Sequence, residues 1–235
     1  MDRADALLAR SAGRRLLGIV GPPGAGKSTL AERLVAELEA RHARPAPLAG
    51  PAAVAGRVSP AGRVSPAGQA PLVGQAPMDG FHLPGAELRR RGLAGRKGAP
   101  DTFDAAGYAA LLASLRADGL PQVRAPSFDR DLDEPVPGTH LITPDVRLVV
   151  CEGNYLLLTS GDWALVRPSL DETWYLRADV ELTRPRLLAR HRAGGLDARQ
   201  ARELVEGNDL PNGRLVAATA RRADHVVELA PGELG

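Results

Sequence analysis

Apolar residues in this chain fall into short unbroken runs separated by segments with helical spacing. Leu16-Leu17-Gly18-Ile19-Val20 is the first such run and predicts a buried strand. Ser28 to Leu38 follows, with apolar residues at 30, 34, 35 and 38, one face of a helix. Asp145-Val146-Arg147-Leu148-Val149-Val150-Cys151 predicts a central strand, Glu172 to Leu176 another, and His225 to Leu229 a last one. Helical spacing recurs at 104–118, 162–168, 181–192 and 197–206. Strands alternating with helices predict an α/β fold, a parallel sheet flanked by helices.

Residues 45–77 break this rhythm. They are rich in Pro, Ala and Gly, and Ala55-Gly56-Arg57-Val58-Ser59-Pro60 is repeated without change at Ala61 to Pro66. A repeat of that length builds no solenoid, and the segment reads as an insertion within a single domain spanning 1–235. Leu72 to Pro77 then predicts a strand, weakened by Gly74 and Pro77.

Between the first strand and first helix stands Gly21-Pro22-Pro23-Gly24-Ala25-Gly26-Lys27-Ser28-Thr29. Gly, four residues, Gly, Lys, Ser is the pattern of a phosphate-binding loop. The glycines allow the backbone to approach an anion closely. The loop amides and the helix N-terminus supply positive potential. Lys27 would reach the outer phosphates of a nucleotide, and the Ser28 hydroxyl would ligate Mg²⁺. Strand, glycine turn and helix is the context this motif requires. The ligand set expected from it is ATP with Mg²⁺.

Composition narrows the setting. The net charge is +2 over 235 residues, and no basic run exceeds Arg89-Arg90-Arg91, so a nucleic-acid partner is not expected. The single cysteine, Cys151, excludes an internal disulfide and lies within an apolar run. No apolar stretch approaches membrane-spanning length, and Asp2 and Asp5 argue against a secretory signal. A cytoplasmic location without membrane attachment is expected. The oligomeric state is open, a homodimer included.

Candidate chemistry lies at the predicted strand ends. Met78-Asp79-Gly80-Phe81-His82 follows the weak strand, and ligands of open α/β sheets sit beyond the carboxyl ends of strands. Asp79 could accept a proton from an attacking hydroxyl, or simply cap a turn. Glu152 ends the strongest strand, where a carboxylate can sit near Mg²⁺. Arg186 and Arg190 share a helix face and precede Gly194-Gly195. They could neutralise charge on a transferring phosphoryl group as part of a lid over 181–206, or form a solvated basic face. Segments holding Arg96, Lys97, Phe128 and Arg130 read as irregular loops suited to a polar small molecule, and so does Asn208-Asp209-Leu210-Pro211-Asn212.

Taken in order, GPPGAGKST at 21–29, MDGFHLP at 78–84, RKGAPDTFD at 96–104, FDR at 128–130, EPVPG at 134–138, CEGNYLLL at 151–158, RLLARH at 186–191 and NDLPN at 208–212 resemble the P-loop kinases of the uridine kinase, phosphoribulokinase and pantothenate kinase group. The bacterial nucleoside/nucleotide kinase-like branch, with its fructose-transport-system kinases, looks nearest. The resemblance spans nearly all the chain outside the repeat. It implies a P-loop NTPase fold with a helical lid and ATP-dependent phosphorylation of a small hydroxyl compound: a nucleoside, a sugar or a pantothenate-like alcohol. Asp79 matches the catalytic base, Glu152 the acid beside the metal, and Arg186 and Arg190 the lid. His82, Arg96, Lys97, Phe128, Arg130, Asn154, Tyr155, Asn208 and Asn212 fall in substrate-facing segments, together with Asp79. A nucleotide-dependent switch and a non-catalytic ATP-binding protein are the rivals. A guanine switch would need Asn-Lys-x-Asp, and neither Lys27 nor Lys97 sits in one.

Overall fold

The structure is a computed structural model describing residues 1–9, 13–42, 71–117 and 122–228. The tandem repeat lies outside the described residues, as does most of the insertion. The strands are β1 (Arg15–Val20), β2 (Val73–Gln75), β3 (Val123–Asp129), β4 (Glu134–Ile142), β5 (Leu148–Gly153), β6 (Glu172–Arg177) and β7 (His225–Glu228). The helices are α1 (Asp2–Ala9), α2 (Lys27–Arg41), α3 (Gly85–Arg90), α4 (Ala105–Arg116), α5 (Val180–Ala193), α6 (Ala198–Leu204) and α7 (Leu210–Ala217).

The main sheet runs β2-β5-β1-β6-β7, every pairing parallel. Parallel strands need both faces covered, and the apolar runs supply both. Leu16 and Val20 of β1 join Val149 and Cys151 of β5 on one face, against Tyr108 and Leu112 of α4. Leu17 and Ile19 face the other way with Leu148 and Val150, against Leu34 and Leu38 of α2 and Leu7 of α1. Side chains alternate across a strand, so a continuous apolar run fills two cores at once.

Several expectations change. Residues 127–129 are not irregular: β3 and β4 pair as an antiparallel hairpin outside the main sheet, shifted in register between Ala125 and Ser127, and Arg130 begins the turn between them. Pro126, Pro135 and Pro137 interrupt the alternation that would have announced it. Asp145-Val146-Arg147 precedes β5 rather than belonging to it; Val146 N–H bonds the Thr143 carbonyl in a turn. Segment 162–168 forms two short 3₁₀ turns, Gly161–Leu165 and Arg167–Ser169, because Pro168 cannot continue an α-helical ladder. Residues 208–212 are helical. α6 passes into a π-helical turn, Val205–Asp209, and then directly into α7, with Pro211 accommodated in its first turn.

Candidate functional site

The site assembles at the carboxyl ends of β1, β2 and β5. β1 runs into the glycine loop, where Gly24 and Gly26 take φ of +77° and +93°, conformations open to glycine. Gly26 is the N-cap of α2. The first amides of a helix lack intrahelical partners, so those of Lys27 and Ser28 are available to an anion. A Cβ on Gly21 would lie 2.7 Å from the Leu176 carbonyl oxygen, so the loop is pressed against β6.

Lys27 folds back across the loop and donates from Nζ to the Pro22 carbonyl at 3.1 Å. It is only 8% exposed. Burial pushes its ammonium below the ordinary lysine range, while the negative charges of Glu152 and Asp79 pull it back up. Pairing of β1 with β5 sets Ile19 opposite Glu152, which brings that carboxylate beside the loop. Ser28 Oγ donates to Glu152 Oε1 at 3.1 Å. Burial, and secondly the charge of Asp79, pushes the Glu152 carboxyl up to about 7; Lys27, the Ser28 hydrogen bond and Arg130 oppose this.

Asp79 sits in the 3₁₀ turn Met78–Phe81 beyond β2, close enough to perturb both Lys27 and Glu152. That turn is clamped: a Cβ on Gly80 would meet the Pro126 oxygen of β3 at 2.4 Å. His82 shares a 2.8 Å hydrogen bond between Nδ1 and the Asp79 carbonyl. Its ring lies 4.0 Å from that of Phe103 and 4.5 Å from that of Phe128, and burial holds it neutral.

Beside Asp79 is a cavity of about 160 Å³, floored by Ser28 and Glu152 and walled by Gln75, Ser127, Phe128, Arg130 and His140. Phe128 and Arg130, expected on the small-molecule side, both line this cavity. Gln75, Ser127 and His140 also line the cavity and were not singled out from the sequence: Gln75 comes from β2 beside β5, Ser127 and His140 from the β3–β4 hairpin. Lys97 is nearby but committed: Nζ bonds Asp133 Oδ2 at 2.8 Å and lies 5.0 Å from the Phe128 ring centroid. Arg96 pairs with Asp101 at 3.1 Å in an exposed turn.

Four other candidates are supports rather than cavity walls. Tyr155 is fully buried, its hydroxyl donating to the Gly98 carbonyl. Asn208 Nδ2 donates to the Lys97 carbonyl at 2.8 Å, and Asn212 Nδ2 to Asn208 Oδ1 at 3.1 Å. These bonds tie the π-helical turn to the loop carrying Lys97. Asn154 is half-buried just past β5.

The arginine helix α5 lies directly on the glycine loop. A Cβ on Gly24 would come within 3.2 Å of Leu187 Cγ and the Thr183 carbonyl oxygen. Arg190 is close enough to Lys27 to depress its ammonium further. Its guanidinium is 46% exposed and 3.8 Å from Asp209. Arg186, half-buried, makes no ion pair among the described residues. His191, next to Arg190, joins Nε2 to Asp209 Oδ2 at 2.6 Å, fastening α5 to the π-helical turn.

The residues available for a metal form a hard oxygen set, Ser28 Oγ and the Glu152 carboxylate. Among the described residues no cluster of three His, Cys, Asp or Glu side chains could enclose a cation alone. The oxygen pair of Ser28 and Glu152 is of the kind that fits Mg²⁺, which is commonly held by one or two protein oxygens, water and phosphate. Among the described residues no helix is long and apolar enough to cross a membrane.

No protein-family model matches the chain. It is 36% identical over 144 residues to the ATP-dependent kinase-like protein notR' of Aspergillus versicolor, covering 57% of this chain and 84% of that one. It is 29% identical over 205 residues to the "Putative uridine kinase C227.14" of Schizosaccharomyces pombe, covering 85% and 76%. Among solved structures, a "putative fructose transport system kinase" from Silicibacter sp. TM1040 superposes with a TM-score of 0.74 at 32% identity, covering 94% of this chain and 98% of the other.

Proposed function

Because this chain belongs to the P-loop kinases, we propose that it transfers the terminal phosphate of ATP to a hydroxyl of a small metabolite. The observation that carries the reading is the convergence of Lys27, Ser28, Glu152 and Asp79 at three adjacent strand ends. The loop amides and the N-terminus of α2 hold the phosphates. Lys27 exchanges the Pro22 carbonyl for phosphate oxygens, which also relieves its desolvation. Bound Mg²⁺ would neutralise charge on the outer phosphates, with Ser28 as a ligand and Glu152 beside it.

Asp79 orients the acceptor hydroxyl and takes its proton. The acceptor oxygen bonds to the terminal phosphorus while the bond to the bridging oxygen breaks, and ADP leaves with that electron pair. Arg186 and Arg190 neutralise charge spread over the transferring group. With α5 on the loop, water is kept from the terminal phosphate. One relative is named "Putative uridine kinase C227.14" and one solved structure a "putative fructose transport system kinase", and a hydroxyl acceptor on this chain is in keeping with those names. A cytoplasmic site, where ATP is abundant and Cys151 stays reduced, completes the reading.

The test is incubation with terminally labelled ATP, Mg²⁺ and a metabolite pool, followed by mass spectrometry. An acceptor-dependent phosphorylated product is expected, absent in Lys27→Ala and Asp79→Asn, with ATP binding retained in the latter. Slow hydrolysis unaffected by any acceptor would refute the proposal, and parental turnover by Asp79→Asn would remove Asp79 from its role.

A further inference from the structure

Among the described residues the side chain of Asp79, the proposed base, makes no hydrogen bond or ion pair, although its charge reaches Lys27 and Glu152. A general base must sit within hydrogen-bond reach of the proton it takes. With the carboxylate unfastened, the backbone beneath it has to be held instead.

His82 supplies that hold twice. Its backbone N–H donates to the Asp79 carbonyl at 3.2 Å, and its ring nitrogen Nδ1 lies 2.8 Å from the same oxygen. A carbonyl oxygen only accepts, so Nδ1 carries the hydrogen. Burial lowers the pKa of the ring, against the pull of the Asp79 charge, and the neutral ring leaves Nε2 bare. Nε2 has no hydrogen-bond partner among the described residues.

The imidazole is itself fixed. Its ring packs against Phe103 at 4.0 Å and Phe128 at 4.5 Å. Phe103 in turn meets Tyr155 at 5.6 Å and Trp163 at 5.9 Å, both edge-on. The backbone is stitched in the same place: Leu83 N–H donates to the Thr102 carbonyl at 2.9 Å, and Asp104 N–H to the Phe81 carbonyl at 2.8 Å. His82 and Phe103 thereby form an isolated antiparallel bridge. A ring locked by its neighbours can pass that rigidity through Nδ1–H to the turn carrying Asp79. Phe128 lines the cavity beside Asp79, whereas His82 is not among the lining residues. The imidazole thus stands between a cavity wall and the backbone of the base.

We infer that His82 is a positioning residue, which holds Asp79 in place for the acceptor hydroxyl through its Nδ1–H and the Asp79 carbonyl and touches no substrate itself. This rests on the reading of Asp79 as the base of a kinase. The proton of the acceptor still goes to Asp79. His82 keeps its own hydrogen throughout, and its contribution is to the geometry of the transfer.

The experiment uses the full chain with terminally labelled ATP, Mg²⁺ and the metabolite pool. His82→Phe keeps a ring between the two phenylalanines and loses the Nδ1 donor. His82→Asn keeps a donor near the Nδ1 position and loses the ring. At saturating Mg-ATP, His82→Phe should form product at least about tenfold more slowly than the parent, and His82→Asn within about threefold of it, with the KM for ATP little changed in both. Melting temperatures should rank the other way, His82→Asn being the less stable, because it loses the aromatic contacts. A residue that served packing alone would give one order for both measurements. Independently, ¹⁵N spectra of histidine-labelled protein should show the Nδ1–H tautomer in the signal that His82→Asn removes. If His82→Phe fails to fold, His82→Gln, whose amide reaches out toward the Nε2 position, takes its place with the same expected loss. Parental turnover by the variant lacking the Nδ1 donor, equal or greater loss in His82→Asn, or an Nε2–H tautomer overturns the inference and leaves the kinase reading standing. Absence of any acceptor-dependent product from the parent overturns the kinase reading, and this role with it.

Discussion

Ser28 donates its hydroxyl to Glu152 across 3.1 Å, joining the first turn of α2 to the end of β5. The carboxylate it meets is buried and faces Asp79, which together raise its pKa from 4.5 to about 7. In the ligand-free protein the folded state therefore holds a proton that the unfolded chain releases at lower pH. Stability from this group is complete below the unfolded value and is lost as pH rises through the folded one. Glu152→Gln should remove that loss. Between about pH 5 and about pH 8, melting curves of the variant should fall less than those of the parent. Parallel pH profiles would show that Glu152 does not titrate as described.

Lys27→Met separates function from stability. The ammonium is desolvated in the folded chain, and a thioether of similar length fills its place. Phosphotransfer should drop by about a hundredfold or more, as when a positioned charge is removed from an active site. The melting temperature should hold or rise, because an expensive buried charge has gone. A large loss of stability would mean that Lys27 holds the loop together through Pro22.

Gly80→Ala probes the clamp on the turn that carries Asp79, the proposed base. The added methyl would lie 2.4 Å from the Pro126 oxygen, a backbone atom that cannot swing aside. Either the hairpin or the turn holding Asp79 must move. A cost of about 1–3 kcal/mol in stability is expected. Catalysis should fall by an order of magnitude or more, since small displacements of a reacting group are costly. ATP binding, which depends on β1 and α2, should be nearly unchanged.

The His191–Asp209 contact predicts how the arginine helix is held. Both side chains are largely buried, and either substitution leaves a polar partner unsatisfied. His191→Ala and Asp209→Ala should each cost about 1–3 kcal/mol, and the double variant no more than the larger. Limited proteolysis should meanwhile open the Gly194-Gly195 connection faster in either single variant.

Cys151 should be inert. It is completely buried in β5, and burial pushes its thiol up to about 12. Thiol reagents at neutral pH should label it only as fast as the protein unfolds, so the labelling rate should rise with denaturant.

The phosphate-binding loop could be read from the chain because its parts are contiguous. Gly24, Gly26, Lys27 and Ser28 carry their own conformational and chemical requirements, and the neighbouring apolar runs announce strand and helix. The parallel sheet was legible for the same reason: residues buried on both faces leave unbroken apolar runs, as in β1 and β5. The hairpin was not, because its prolines mask the alternation and its stability comes from pairing with a partner strand. Nor was the helical state of 208–212, where Pro211 imitates a loop but falls in the first turn of α7.

Local chemistry thus determined that a phosphate-loop sequence exists, and which ammonium and hydroxyl it carries. Only the folded molecule decided what those groups face. Ser28 and Glu152 stand 124 positions apart, and their contact exists because β5 pairs beside β1. Gln75, Ser127 and His140 become one wall, and Leu187 a cover for Gly24, through the same kind of long-range packing. No property of these residues taken singly encodes such neighbours, since they depend on how whole elements bury their apolar faces against one another.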